Sequence, residues 1–354
     1  MSPVVRISLL ACSLGCSPVV NDPGGGPPHV GQPADTGPDT DSGGSDGSDG
    51  SDGSDGSDGA DGGDGGYPFD YDCDALPEWV DDPQRFDDAR GYHGILFDDE
   101  GHLIGWDGRS AFTKATYDGD LESWIPGVDN SEQMVWADDG GFFYGDAYNG
   151  SVIRVSPEGS QTILADGLEY VYGLVWGPDG KLWVADGNIL RIDPNTGAIE
   201  SLLRYPSDES WFSHSLGFNL DCTQLYFGTI GYGDVWVVDL DPSLNLSGSP
   251  RIFANTRGGW HDAMEMDACG NLYVPDYYTS ALVRITPEGD VSEIVRRSET
   301  NYGHGVTWGN GIGGWRQDAI YQPLPYNRYR VRELVIGVPD GRFVRTYNGE
   351  PFNR

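Results

Sequence analysis

Basic residues are scarce in this chain. Only 21 of its 354 residues are Lys or Arg, against 56 Asp and Glu, and the formal net charge is −35 at pH 7. A surface of that sign repels phosphate backbones and anionic lipids, so nucleic acid is excluded as a partner and no basic face is left for a membrane. Long apolar runs are also missing. The one short run near the start, Ile7–Leu14, cannot span a bilayer as a mature helix. There is no nucleophile elbow, phosphate loop, dinucleotide fingerprint or Cys-pair zinc motif. The glycines of GNGIGG (Gly309–Gly314) join two strands rather than opening a helix, so they read as a turn. Histidine is rare at six, and cysteine at five.

What is present starts with an address. MSPVVRISLLACSLGC carries one early charge, Arg6, then the apolar run and small residues up to Cys16. It reads as a signal peptide over residues 1–16. Its SLGC end has the form of a lipoprotein cleavage box that would leave Cys16 lipidated; the alternative is an ordinary cleaved signal. Residues 17–72 follow, rich in Asp, Gly, Ser and Pro, with SDGSDGSDGSDGSDG at Ser45–Gly59. This segment has no apolar periodicity and repels itself, so it is expected to be a disordered acidic linker. Some 50 residues of such chain reach about 40 Å. A stacked calcium-binding array would need apolar residues that the segment lacks. The expected setting is an exported protein, lipid-anchored to the cell envelope and touching the membrane through that anchor alone, or else secreted. Without its acidic leader the chain still carries 43 acids against 20 bases.

From Tyr92 onward one pattern repeats. Segments open at His93, Glu132, Tyr172, His214, Asp262 and His304, spaced 39 to 48 residues apart. In each, a short apolar run meets an Asp/Gly turn and then an alternating strand such as KLWVAD (Lys181–Asp186), with third and fourth strands such as SVIRVSPEG and SQTILAD. Short strands, turn residues and no helical period define an all-β chain. A period near 40 with four strands per unit predicts a six-bladed β-propeller over residues 73–354. Phe97, Trp136, Trp176, Phe218, Met266 and Trp308 recur about four residues past each opening and are expected to fill the space between blades. Either Glu78–Phe86 or Gly341–Gly349 is available to complete the last blade. Cys222 and Cys269 both fall three residues before the leucine of a second strand, in adjacent blades. That spacing makes a disulfide between them an expectation, with Cys73 left single; two buried thiols are the alternative.

The first strand of each propeller blade lines the central channel, and its opening residue sits at the channel mouth. All six opening residues here are polar, and three of the six histidines fall among them. Imidazoles and carboxylates around one small volume suit a bound divalent cation or acid/base chemistry. They also suit a polar plug whose members satisfy one another.

PDGKLWVAD and NILRIDPNTG, with the blade pattern over roughly Tyr92–Asn348, resemble the regucalcin (senescence-marker) and gluconolactonase family. That resemblance implies a divalent cation held at the blade openings and used to open lactones or hydrolyse esters. On this sequence Asp262, in DAM, matches the family aspartate of a DGM-like context. His214 stands where the family has an asparagine, His93 where it has a glutamate, and Tyr172 in its remaining asparagine region. Glu132 lies in a blade that usually contributes no ligand. A hard oxygen site suits Ca²⁺ or Mg²⁺, whereas three imidazoles shift preference toward Zn²⁺, Mn²⁺ or Fe²⁺.

The expectation is therefore a monomeric hydrolase of the lactonase or esterase type, acting on a small lactone, ester or carbohydrate. Its metal ligands would come from His93, His214, Asp262 and His304. Glu132 or His304 would be the general base, and Tyr172 a substrate hydrogen-bonding group. A lyase using a ring histidine as base is a variant. The alternative from another class is a non-catalytic surface propeller whose ring is structural, with Trp260, Tyr277, Tyr278 and Trp315 as aromatics for a partner.

Overall fold

Each repeat turns on an Asp/Gly reversal, and those reversals place the strands. A computed structural model describes residues 70–80, 85–205, 212–277, 279, 281–296, 303–326, 328 and 330–353. The expected signal segment with Cys16, nearly all of the expected linker and Tyr278 lie outside the described residues. At the first hairpin of blade one Gly101 donates to the Asp98 carbonyl at 3.4 Å with φ +87°, and Gly270 repeats this in blade five at 3.0 Å with φ +85°. A positive φ of that size is cheap only for glycine, which explains the spacing of the turns.

Among the described residues the chain forms six antiparallel four-stranded sheets, each but the last in simple sequence order. The inner strands are Ile95–Phe97, Met134–Trp136, Gly173–Trp176, Ser213–Phe218, Glu265–Met266 and Thr307–Trp308. The fold is the six-bladed propeller that the repeats predict. Its ring is closed by the N-terminal option: Arg85–Phe86 pairs as outer strand with Arg330–Val335 of the last blade, Arg85 opposite Arg332 and Phe86 opposite Val331. The N-terminal strand thereby completes the last blade, tying the start of the propeller to its end. The C-terminal segment does a different job. Gly341–Phe343 is a 3₁₀ turn, and Thr346–Tyr347 and Glu350–Pro351 form a small hairpin. Their contacts run to Leu220, Met266 and Asp267, so they lie across the blade-four and blade-five turns.

The large residues past each blade opening are mostly core: Phe218, Met266 and Trp308 are 3% exposed or less, and Phe97 and Trp176 8%. They also form a relay. Trp136 Nε1 donates to the Phe97 carbonyl at 3.1 Å, and Trp176 Nε1 to the Trp136 carbonyl at 2.6 Å. One repeated position thus fills the gap between blades and, in blades two and three, staples the blade to the one before it. Trp315, expected as a surface aromatic, is fully buried against Phe86, Phe97 and Tyr321.

The disulfide differs from the expectation. Cys73 pairs with Cys269, with Cα atoms 5.7 Å apart, and Cys222 is a free, buried thiol. The reason lies in the turns. Blade five closes its turn from Asp267 to Asn271, whereas blade four needs Asn219 to Gln224, one residue more. Counting back from the leucines therefore misaligns the two cysteines. Cys222 occupies the left-handed slot (φ +55°) that Gly270 fills next door, and its side chain turns into the blade-three/four core. Cys269 sits one position earlier, beside the arriving N-terminal segment. Val80 donates to the Ile294 carbonyl at 2.7 Å, and Arg284 Nη1 to that of Pro77 at 3.1 Å.

Candidate functional site

The six blade-opening residues do converge. Each stands at or just before an inner strand, and all are buried: His93 3% exposed, Glu132 2%, Tyr172 6%, His214 0%, Asp262 1% and His304 3%. Glycines allow the crowding. A Cβ on Gly94 would lie 2.7 Å from the Glu132 carbonyl oxygen, and one on Gly305 would overlap that of His93. The GHG context shared by His304 and, on one side, His93 is thus a packing requirement of strands meeting near an axis.

His93 and His304 stack with ring centroids 4.5 Å apart and planes 23° off parallel. The His214 ring lies 6.2 Å from that of His93. Asp262 faces two imidazoles, with Oδ1 3.6 Å from His214 Nδ1 and Oδ2 3.4 Å from His304 Nδ1. Both are longer than a good hydrogen bond. Glu132 contacts His93 Nδ1 with Oε2, while its Oε1 accepts from Asn130 Nδ2 at 3.1 Å. Asn130 is itself held by the Ala147 amide at 2.9 Å. Tyr172 packs on His214, centroids 4.1 Å apart.

A plug would satisfy its own polar atoms, and this ring does not. Both nitrogens of His304, Nε2 of His93, Nε2 of His214 and both oxygens of Asp262 are buried without a hydrogen-bond partner among the described residues. His93 Nδ1 and Glu132 Oε2 touch each other without hydrogen-bond geometry. Burying such atoms costs on the order of 1–3 kcal/mol each, so a stable ring needs something between them. Potential ligand atoms of His93, Asp262 and His304 all lie within 4.8 Å of one another. His214 carries a further sign. Its Nδ1 is 3.0 Å from the His261 carbonyl, which can only accept, so Nδ1 bears the proton and Nε2 offers a lone pair. A backbone carbonyl fixing the far nitrogen is the usual support of a metal-binding imidazole. The donor set therefore fits a divalent cation.

Burial sets the charges. It pushes His214 and His304 down to about 3, and His93 well below the usual imidazole value, with repulsion from His304 and His214 adding to the effect on His93. Burial, then the Asp276 charge, holds the Asp262 carboxyl well above the usual range. The imidazoles are thus neutral, the form a metal ligand requires.

Sequence reasoning missed two things. One is the support of Asn130 and the His261 carbonyl, each adjacent to or two residues from a ring member. The other is an aromatic collar. Tyr92 stacks on His93 (4.4 Å), Tyr326 and Tyr277 contact His304 (5.3 and 5.7 Å), and Trp260 packs on Tyr277 (5.2 Å). Of the aromatics expected to face a partner, Trp260 and Tyr277 are in this collar. A second acidic group, Asp98, Glu100 and His102, is not comparable: Lys114 Nζ already sits 2.9 Å from Asp98 Oδ2.

Residues 184–309 match the SMP-30/Gluconolactonase/LRE-like region. That stretch runs from blade three through the opening of blade six and includes His214, Asp262 and His304, so the family resemblance read from the repeats holds over half of the ring. A gluconolactonase from Xanthomonas campestris superposes with a TM-score of 0.60 at 14% identity, covering 76% of this chain and 96% of that one. A calcium-binding regucalcin from Agrobacterium tumefaciens gives 0.58 at 16% identity, covering 76% and 97%. Virginiamycin B lyase from Staphylococcus aureus gives 0.51 at 15%, covering 72% and 98%. At such identities the propeller fold is what is shared. No curated protein sequence matches the chain.

Proposed function

We propose that the protein is a divalent-metal-dependent hydrolase of small cyclic esters, acting at the histidine-bearing mouth of the channel. The observation that carries this reading is the set of unpartnered, buried donor atoms on His93, His214, Asp262 and His304. His93, Asp262 and His304 would hold the cation, with His214 completing the set through Nε2. Three imidazoles and one carboxylate favour Zn²⁺ or Mn²⁺ over Ca²⁺ or Mg²⁺. When bound, such a cation supplies Lewis-acid polarisation of a carbonyl and a lowered pKa for water.

The chain supplies the rest. Glu132, oriented by Asn130, accepts at Oε2 the proton released as water oxygen bonds to the ester carbonyl carbon. The ring C–O bond then breaks, and the proton passes to the departing alkoxide, leaving a hydroxy acid. Tyr172 orients the substrate. The collar of Tyr92, Trp260, Tyr277 and Tyr326 presents flat apolar faces with polar tips, which suits a ring-shaped substrate such as a sugar lactone.

The test strips the protein with a chelator, adds back Zn²⁺, Mn²⁺, Ca²⁺ or Mg²⁺ singly, and follows opening of glucono-δ-lactone and simple δ-lactones. Activity restored by one ion and lost in Glu132→Gln with the ion still bound supports the reading. No ion uptake by the stripped protein defeats it. Ion uptake with no turnover of any lactone or ester favours a binding propeller, whose collar would then take a ligand without converting it.

We further propose that the chain works outside the cytoplasm, anchored through Cys16. The Cys73–Cys269 disulfide supports an oxidising compartment. A Cys16→Ser form that stays membrane-bound and takes up no less labelled fatty acid would argue against the anchor.

A further inference from the structure

The channel has a second compartment. Beneath the ring, inner-strand residues line a cavity of about 230 Å³ that reaches the C-terminal segment, where Arg342 and Arg345 face it with Glu265 and Asp340. None of the six ring side chains lines it. Its walls are apolar, with Val135, Trp136, Val175 and Trp176 along the side, and it meets solvent near Asp138 and Asn353.

Arg345 is the group that needs explaining. It is 7% exposed and its Nε has no hydrogen-bond partner among the described residues. No ion pair to it is found among the described residues, in contrast to Arg342, whose Nε lies 3.2 Å from Asp340 Oδ2. A guanidinium is always charged, and burying it unpaired is costly. Glu265 is the obvious candidate partner, but no ion pair joins the two, and burial and the Asp340 charge push its carboxyl up to about 8 against the pull of Arg345 and Arg342. Arg342 pairs with Asp340 and Asp138 lies exposed at the mouth, which leaves Arg345 as the positive group facing the cavity without an ion-paired carboxylate among the described residues.

We propose that this compartment is a binding site for a small organic carboxylate with an apolar body, its carboxylate on Arg345 and its body against Trp136 and Trp176. A planar guanidinium pairs with a carboxylate through two parallel hydrogen bonds, which a point-like cation cannot match. The acidic surface slows entry of an anion without removing the site, since at physiological salt repulsion is screened beyond about 8 Å. The inference does not depend on metal binding or hydrolysis at the ring.

Benzoate is a suitable probe, with benzamide as its uncharged isostere and chloride as the ionic-strength control. Benzoate at ten times its Kd should raise the melting temperature by about 3 °C, saturably, while benzamide and chloride do not. Line broadening of 4-fluorobenzoate in ¹⁹F spectra should report the same site. Arg345→Met, close in shape and uncharged, should stay folded, melt no lower than the parent, and bind benzoate at least tenfold more weakly. Glu265→Gln should keep the response. Should Arg345→Met fail to fold, the ¹⁹F titration of the unaltered protein and of Glu265→Gln decides. The proposal is overturned if benzoate and benzamide behave alike, if Arg345→Met keeps the full response, or if Glu265→Gln melts far lower and the parent ignores benzoate. That last result would make Glu265 the counterion.

Discussion

Two histidine–aspartate groups lie side by side at the opening of blade five, and burial does not distinguish them. His261 and Asp276 are both fully buried, as are His214 and Asp262 to within 1%. In the first group every atom is used. The Thr229 amide donates to His261 Nδ1 at 3.3 Å, His261 Nε2 lies 3.0 Å from Thr256 Oγ1, and the Thr256 hydroxyl donates to Asp276. Asp276 also accepts from the Gly259 and Thr279 amides at 3.2 and 3.1 Å. In the second group the Asp262 carboxylate has no hydrogen-bond partner among the described residues, and the His214 ring uses one nitrogen only. The two histidines even take opposite tautomers, His261 protonated on Nε2 and His214 on Nδ1. A satisfied relay holds a fold together, whereas an unsatisfied one stores binding capacity that a ligand can claim.

The sharpest break of that comparison is Asp276→Ala. It strands the hydroxyl and amide donors around a buried position and should cost about 3–5 kcal/mol in urea unfolding. Cation uptake per folded molecule should stay at its parental value. The converse is removal of the cation. If the ring holds one, chelation should cost about 2.7 kcal/mol for a protein otherwise kept at 100 times its Kd. Asp276→Ala melting as the parent does, or chelation leaving the unfolding midpoint unmoved, would erase the distinction between the groups. Next in size is Asp262→Asn. It should weaken cation binding at least tenfold, about 1.4 kcal/mol, yet leave chelator-treated stability unchanged or higher, because the carboxylate it removes is buried without a partner. His261→Gln should do the reverse, lowering stability by about 1–2 kcal/mol with cation affinity held.

How much of this was legible in the sequence follows from what each feature depends on. The propeller was legible because strand alternation and the Asp/Gly turns are local and repeat six times. The ring was legible for the same reason, since one position in each repeat had to reach the axis. The contrast between His261 and Asp262 was not, although they are neighbours in sequence. Which of them is satisfied depends on Thr229, Thr256 and Asp276, brought in from other strands. The disulfide failed on a single inserted turn residue in blade four, which moves Cys222 by one position and turns its side chain inward. Arg345 was invisible as a site residue, because an arginine near the C-terminus becomes unusual only once the fold buries its Nε with no hydrogen-bond partner among the described residues.

The two ends of the channel extend the comparison, with the smallest expected effect. The ring end holds neutral imidazoles, while at the other end Glu265 faces Asp340, Arg342 and Arg345, burial being the main influence on its carboxyl and the two arginines opposing it. Its folded value, about 8, lies above that of an exposed glutamate, about 4.3. Between those pH values the folded protein keeps a proton that the unfolded chain has lost. The contribution is therefore fully present below about pH 4 and lost as pH rises toward 8. The slope is at most about 1.4 kcal/mol per pH unit. Subtracting the unfolding profile of Glu265→Gln from that of the parent isolates it from every other carboxylate. A difference that falls with pH over this window places the proton on Glu265. A flat difference would mean that Arg345 already holds the glutamate ionised, and the channel would then have two satisfied groups, at Asp276 and at Glu265, around one unsatisfied ring.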